Sequence, residues 1–205
     1  MKKQVWYKNQ SIYCDQWTDG FNQRSFEEFW QHMWKIYRNA SFIGVSSTSG
    51  QLGSSWSGEL KDQLLNANLS LLELDKIADD FVALAKSGQH KEKGFPGTAY
   101  GTSKTLMTQL HRIIARDTNP EEGNLKPVFV AAICPGLCRT HMATGRGTFM
   151  SNLLWFISFF IGHSAAGGAD TPLWLTFPST SSLTHKEKMR KYNGKFIRGR
   201  TIQNY

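Results

Sequence analysis

The sequence of 205 residues has few of the features that would identify a protein class at once. Its three cysteines, Cys14, Cys134 and Cys138, form no CxxC pair, which excludes a disulfide scaffold and argues against a zinc site. No apolar core follows the basic N-terminus, so a cleaved secretion signal is not expected. No apolar run reaches the roughly 18 residues that a transmembrane helix needs. We therefore expect no metal, no transmembrane segment and a cytoplasmic location.

The composition is that of one folded domain with a basic surface. Hydrophobic residues make up 40% of the chain, aromatic residues 13% and charged residues 20%, which excludes a disordered tract and a coiled coil. The 24 basic and 16 acidic side chains give a net charge of +8, which permits an anionic partner. Nothing beyond this charge favours nucleic acid, so no nucleic-acid partner is expected.

Apolar strands alternate with amphipathic helices along the chain, a pattern that predicts an α/β fold. Residues 127–134 are apolar throughout, as in a strand of a parallel sheet that helices cover on both faces. Ser70 and Glu73 form a capping box at the start of a helix, and Gly88 marks its end. The predicted strands lie within 41–47, 127–134 and 194–198, the predicted helices at 26–38, 70–87, about 98–116 and 165–177, and residues 48–68 are predicted to be loop.

Three features place polar side chains where α/β sheets bind ligands. Tyr100 and Lys104 are about one helical turn apart and share a helix face. Ser46 and Ser47 follow one buried strand and Pro135-Gly136 ends the next, so both lie at the carboxyl edge of the sheet. Taken singly, each has an ordinary explanation: a half-buried tyrosine, a solvated lysine, a helix cap or a turn. Their order and their positions at element ends together favour a site.

On these features the chain resembles the short-chain dehydrogenases/reductases, and within them the monomeric carbonyl reductases. The resemblance extends over about residues 40–205 and implies a Rossmann-like, doubly wound parallel sheet. It also implies NADPH as the cofactor and the reduction of a small-molecule ketone, aldehyde or quinone. The segments that carry it are FIGVSS (42–47), KGFPGTAYGTSK (93–104), AAICPGLCRTHMA (131–143), GGADTPLWL (167–175) and NGKFIRG (193–199).

The resemblance also implies roles for the residues of the site. Ser47 matches the serine that hydrogen-bonds the substrate carbonyl, and Tyr100 matches the acid that protonates the developing alkoxide. Lys104 matches the lysine that binds the nicotinamide ribose, and a cation at this distance favours the ionised tyrosine. The turn that holds the nicotinamide is matched by Pro135, Gly136 and Thr140.

Parts of the family pattern are absent from the sequence. The Gly-rich turn after the first family strand and the NNAG-type stretch have no counterpart, and Gly44 replaces the usual asparagine before the serines. Asn22 is the nearest candidate for the catalytic asparagine of the family. The expected fold is therefore a partial Rossmann-like sheet that keeps the C-terminal strands and lacks the N-terminal dinucleotide-binding βαβ units. We divide the chain into a poorly matched segment, 1–40, and the C-terminal part of a reductase domain, 41–205.

The missing strands would leave one edge of the sheet open. The strand within 41–47, central in the family, becomes an apolar edge that invites pairing with another strand. Residues 1–40, a partner chain or a missing N-terminal segment would cover this edge. The alternative to an active enzyme is a non-catalytic reductase remnant that acts as an interaction or structural subunit.

The apolar run over 149–161 stands where the family has its substrate lid, and a lid helix is the expected structure. Attachment to a membrane surface is the alternative, supported by a basic C-terminal tail that is otherwise expected to be a solvated face. The basic residues of this tail are Lys186, Lys188, Arg190, Lys191, Lys195, Arg198 and Arg200.

Overall fold

The computed structural model describes residues 11–12, 40–118, 128–139 and 162–205. Four sequence predictions lie outside these residues: the helix over 26–38, the lid over 149–161, the assignment of Asn22 and the assignment of Thr140. No helix of the described ranges is long and apolar enough to cross a membrane.

The described elements form a mostly parallel sheet whose strands follow one another in chain order. The first three pairings are parallel and the last is antiparallel, so the prediction of three neighbouring parallel strands from the C-terminal half of the family sheet is confirmed. Two of the five strands were not predicted: the first, Ser11–Ile12, and the last, which returns antiparallel after a turn at Gly199-Arg200, whose φ angles are both positive. The strands are β1 (Ser11–Ile12), β2 (Ser41–Val45), β3 (Phe129–Cys134), β4 (Phe196–Arg198) and β5 (Thr201–Gln203).

The N-terminal segment supplies part of the missing neighbour of β2. Ser11 and Ile12 pair in parallel with Ser41 and Phe42. Beyond Phe42, the outer edge of β2 has no strand beside it among the residues that the structure describes. Of the three ways to cover this edge, pairing with residues 1–40 is therefore used for the first two positions of β2.

Five helices flank the sheet in the described part of the chain. The helix predicted over 70–87 is confirmed, with both hydrogen bonds of the Ser70–Glu73 capping box present and Gly88 at a φ of 77° just after the helix. The helices predicted near 98–116 and 165–177 are confirmed within one or two residues. The helices are α1 (Gly58–Leu65), α2 (Leu71–Lys86), α3 (Ala99–Asp117), α4 (Ala165–Thr176) and α5 (His185–Tyr192).

The prediction of loop over 48–68 is wrong, because this segment contains α1 and a 3-10 turn over Thr48–Gly50. Ser57 caps the start of α1 by accepting the N–H of Leu60, and Leu64 is completely buried. Two arginines of α3 bind the connection between α1 and α2. Arg112 donates to the carbonyls of residues 64, 65 and 66, and Arg116 to those of residues 67 and 69.

The basic tail is not a uniformly solvated face. It contains α5, which begins with a second capping box between Thr184 and Glu187, and Lys188 is buried. Arg200 binds the carboxylate of Asp170 in α4 through two hydrogen bonds and lies over the ring of Trp174.

Both faces of β3 are covered, and all six of its residues are buried. Alternate side chains point to opposite faces of a strand, so Val130 packs with α1, α2 and α3 while Ile133 packs with α4 and α5. The prediction of a doubly covered parallel strand is therefore confirmed. The core clusters comprise Phe42, Leu64, Leu74, Phe81, Leu110 and Val130 on one face, and Ile43, Phe129, Ile133, Trp174, Leu175 and Tyr192 on the other.

Candidate active site

The carboxyl ends of β2 and β3 bring two of the predicted site segments together. Ser46 and Ser47 follow β2, and Pro135-Gly136 follows β3. The two strands are parallel and in register from Ser41↔Phe129 to Val45↔Ile133. Beyond the strand, the N–H of Ser46 donates to the carbonyl of Ile133 at 2.7 Å. The serines and the Pro-Gly turn therefore share one edge of the sheet.

Helix α3 adds Tyr100 and Lys104 to this edge. Thr98 caps the helix by accepting the N–H of Gly101, which places Tyr100 in the first turn and Lys104 one turn later. Tyr100 is 58% exposed although it is aromatic. The Nζ of Lys104 lies 5.8 Å from the centre of the Tyr100 ring. The structure thus places both side chains on the helix face that the sequence indicated, with the phenol accessible to a ligand.

The Lys104 ammonium is fixed to the end of β2. Its Nζ donates to the carbonyl of Val45 at 2.9 Å, in the residue just before the two serines. An ammonium group has three N–H donors, and this bond uses one of them. The half-buried cation is therefore held in place while it keeps donors for a second acceptor.

The two serines have different surroundings. Ser46 is buried, and its hydroxyl lies 3.0 Å from the Lys104 carbonyl and 2.7 Å from the Thr108 hydroxyl. Ser47 is half-buried and caps the 3-10 turn by accepting the N–H of Ser49 at 3.2 Å. A hydroxyl that accepts a hydrogen bond still has a proton to donate. The capping position of Ser47 is therefore compatible with donation to a substrate oxygen.

Two glycines let the 3-10 turn approach α3. A β-carbon on Gly50 would stand 2.6 Å from the carbonyl carbon of Lys104, and one on Gly101 would stand 3.0 Å from the carbonyl oxygen of Ser49. The sequence prediction treated both residues as ordinary loop and helix positions. The two glycines are visible in the sequence, but a glycine by itself does not show which residue it will contact.

The Pro135-Gly136 turn is held by hydrogen bonds with the sulfur atoms of Cys134 and Cys138 and is flanked by the backbone of His163. Gly136 has a φ of 78° and donates its N–H to the Cys134 sulfur at 3.4 Å. Burial raises the pKa of the Cys138 thiol, which stays protonated and lies 3.6 Å from the carbonyl of Pro135. The N–H of His163 donates to the Leu137 carbonyl at 2.8 Å. The turn therefore presents a fixed backbone.

A buried histidine accompanies the glycine that replaces the family asparagine. A β-carbon on Gly44 would stand 2.0 Å from Nε2 of His111. The ring stacks on Phe42 with centres 4.8 Å apart, and its Nδ1 lies 2.7 Å from the Met107 carbonyl. Burial lowers the pKa of His111 to about 4. At neutral pH the ring is therefore an uncharged part of the core.

Comparison with curated sequences finds carbonyl reductases. Carbonyl reductase (NADPH) 1 of Bos taurus is 30% identical over 154 residues, which are 75% of this chain and 48% of that protein. The protein of the same name from Rattus norvegicus is 34% identical over 130 residues, 63% of this chain and 42% of that protein. The chain thus spans about half the length of the curated relatives it matches. No protein-family model matches the sequence.

Comparison with solved structures supports the fold. Salutaridine reductase from Papaver somniferum superposes with a TM-score of 0.60 and 19% identity, over 85% of this chain and 50% of that one. At this level of identity the likeness concerns the fold alone. The predicted partial Rossmann-like α/β architecture and the predicted resemblance to carbonyl reductases are confirmed by these matches.

Proposed function

Because the chain is a homologue of the carbonyl reductases of the short-chain dehydrogenase/reductase family, we propose that it is an NADPH-dependent oxidoreductase. Its substrate would be a small-molecule ketone, aldehyde or quinone, and its location the cytoplasm. One observation carries the proposal: Lys104 is held at the end of β2 by the Val45 carbonyl while its ammonium lies 5.8 Å from the Tyr100 ring. A lysine on a solvated helix face would be hydrated and would not be bonded to a strand carbonyl.

In this proposal the protein acts on the carbonyl oxygen of the substrate. Ser47 donates a hydrogen bond to that oxygen as negative charge develops on it. Tyr100 transfers its phenolic proton to the oxygen, and the neighbouring Lys104 cation stabilises the phenolate that remains. The exposure of Tyr100 allows a substrate to reach the hydroxyl from solvent.

The residues present fit the nicotinamide end of the cofactor. The free donors of the Lys104 ammonium and the Tyr100 hydroxyl suit the hydroxyls of a ribose. The Gly136 backbone has a positive φ, and a β-carbon there would stand 2.9 Å from Cδ2 of His163, so the close turn requires a glycine. Pro135, Gly136 and Thr140 would hold the nicotinamide, which supplies the hydride when bound. Thr140 enters on its sequence match, because it lies outside the described residues.

The test is NADPH binding to this chain, followed through quenching of its tryptophan fluorescence. We expect saturable binding that weakens by roughly tenfold in Lys104→Ala, because a charge-assisted contact is lost. Tyr100→Phe should keep binding and lose carbonyl reduction. Lys86→Ala, which removes a lysine from the last turn of α2, is the matched control and should behave as the wild type. Absence of binding at millimolar NADPH by a folded chain would overturn the proposal.

A second proposal is a non-catalytic chain that acts as an interaction or structural subunit. It is supported by the edge of β2, which is covered by β1 at only two positions within the described residues. An exposed strand edge is a template for another strand. This proposal predicts no NADPH binding and a partner chain on β2. Substituting Ile43 by proline would then abolish the association with the partner, and a circular dichroism spectrum would check that the variant still folds.

A further inference from the structure

Ser46 joins the three elements that carry the candidate site, β2, β3 and α3. Its N–H donates to Ile133, the residue before Cys134 at the end of β3. Its hydroxyl meets the Lys104 carbonyl on α3, and its peptide neighbours are Val45, which binds the Lys104 ammonium, and Ser47. Lys104 is therefore attached to two consecutive residues of the β2 end, by its side chain and by its main chain.

We propose that Ser46 is a positioning residue, which sets Lys104 and, one turn earlier, Tyr100 against Ser47 and the Pro135-Gly136 turn. The proposal rests on the function proposed above for what the positioning achieves. The serine pair then has divided roles: Ser47 faces a ligand and Ser46 holds α3 to the sheet. The contact joins residues 58 apart in sequence, and it attaches the main chain of α3 to the end of β2 beside the side-chain bond from Lys104 to Val45.

The hydroxyl geometry makes the contribution of Ser46 separable from that of Thr108. Ser46 and Thr108 both lie 3.0 Å from the Lys104 carbonyl and 2.7 Å from each other. Two hydroxyl protons serve these three contacts. Without the Thr108 hydroxyl, the Ser46 proton goes to the Lys104 carbonyl and the link between β2 and α3 survives. Without the Ser46 hydroxyl, Thr108 bonds only within its own helix, and the hydroxyl link from β2 to the main chain of α3 is lost while the Lys104–Val45 bond remains.

The experiment compares Ser46→Ala, Ser46→Cys and Thr108→Val with a matched control, Thr105→Val. Thr105 is also a buried threonine of α3 that donates to the carbonyl four residues earlier, but within the described residues no group at the end of β2 forms a hydrogen bond with its hydroxyl. Denaturant unfolding of each variant measures the purely structural cost. Labelling of Lys104 by an amine-reactive reagent, measured by mass spectrometry relative to the exposed Lys86, reports how firmly the ammonium is held.

We expect Ser46→Ala to raise the relative labelling of Lys104 by about fivefold, as loss of one net hydrogen bond implies, and to weaken NADPH binding similarly. Ser46→Cys, which keeps a weak donor, should fall between Ser46→Ala and the wild type. Thr108→Val and Thr105→Val should change labelling by less than about twofold. Equal labelling in Ser46→Ala and Thr105→Val, or an effect of Thr108→Val as large as that of Ser46→Ala, would overturn the positioning role. Raised labelling without NADPH binding in the wild type would support the positioning role and overturn the proposed reductase.

Discussion

The imidazole of His111 fills the volume beside Gly44 in which any other residue would place its β-carbon. The ring atoms Nε2 and Cε1 lie 2.0 and 2.1 Å from that position. Gly44 stands where the resemblance leads one to expect an asparagine, so the side chain that occupies this part of the core comes from α3 instead of from β2. The two residues form a complementary pair just ahead of the serines and one helical turn beyond Met107.

This contact predicts that the effect of a substitution at Gly44 on stability depends on the residue at position 111. Gly44→Asn should destabilise the protein by about 1–3 kcal/mol, because overpacking a rigid core has this cost. His111→Ser, which empties the space, should recover most of that loss when combined with it. Urea unfolding of the two single variants and the double variant measures the coupling. Strictly additive losses would show that the histidine does not fill the asparagine position.

His111 also predicts how stability depends on pH. Its pKa is about 4 in the folded protein and about 6.5 when exposed, so between these values the unfolded chain binds the extra proton. Stability should therefore fall as pH falls from 6.5 towards 4, by up to about 3 kcal/mol at the lower end. Unfolding free energies measured between pH 7 and 5 test this against His111→Gln, in which the slope over that range should flatten. An unchanged slope would assign the effect to another group.

The arginine contacts of α3 predict that α1 depends on Arg112. Its guanidinium donates to the last carbonyls of α1 at 2.5 to 3.0 Å, and burial lowers its pKa without making it neutral. Arg112→Lys cannot supply the same fork of donors and should cost about 1–3 kcal/mol. Faster amide hydrogen exchange confined to residues 58–69 would identify the cause. Arg190→Lys in α5 is the control. Equal exchange in both variants would contradict the dependence of α1 on Arg112.

The β4–β5 turn predicts an unusual order of stability at position 200. Arg200 has a φ of 62°, a conformation that glycine adopts without strain. Its side chain nevertheless binds Asp170 and lies over Trp174. The melting temperature should therefore decrease from the wild type to Arg200→Gly and further to Arg200→Ala, which loses the contacts and keeps the strain. A higher melting temperature for alanine than for glycine would refute the argument.

The sequence predicted the elements that carry their own local signals. Three of these signals each lie within a few neighbouring residues: the capping box at Ser70, the glycine after α2 and the continuous apolar run of β3. Helix α1 was missed because its stability comes from Leu64 and from arginines of a distant helix. Strand β5 was not predicted because three residues are too few to show an alternating pattern. Helix α5 was not predicted because its charged residues were interpreted as a solvated face and its capping box was overlooked.

The same division holds for the site. The shared face of Tyr100 and Lys104 follows from helix geometry, and the location of the serines follows from the direction of parallel strands. The division between Ser46 and Ser47, the close approach at Gly50 and the packing of His111 all depend on residues of α3 meeting β2 or the segment that follows it. Such contacts are set by the tertiary structure, and one sequence without its fold does not specify them.

The parallel order of β2, β3 and β4 determines when the site can exist during folding. Each of these pairings joins segments that are far apart in the chain, so no strand can find its neighbour until a long loop has closed. The helix pair α2 and α3 can form earlier from contacts nearer in sequence. Tyr100 and Lys104 would then be present on a helix before Ser47 and the Pro135-Gly136 turn arrive beside them. The candidate site is thus a late product of folding, completed only when the strand ends come into register.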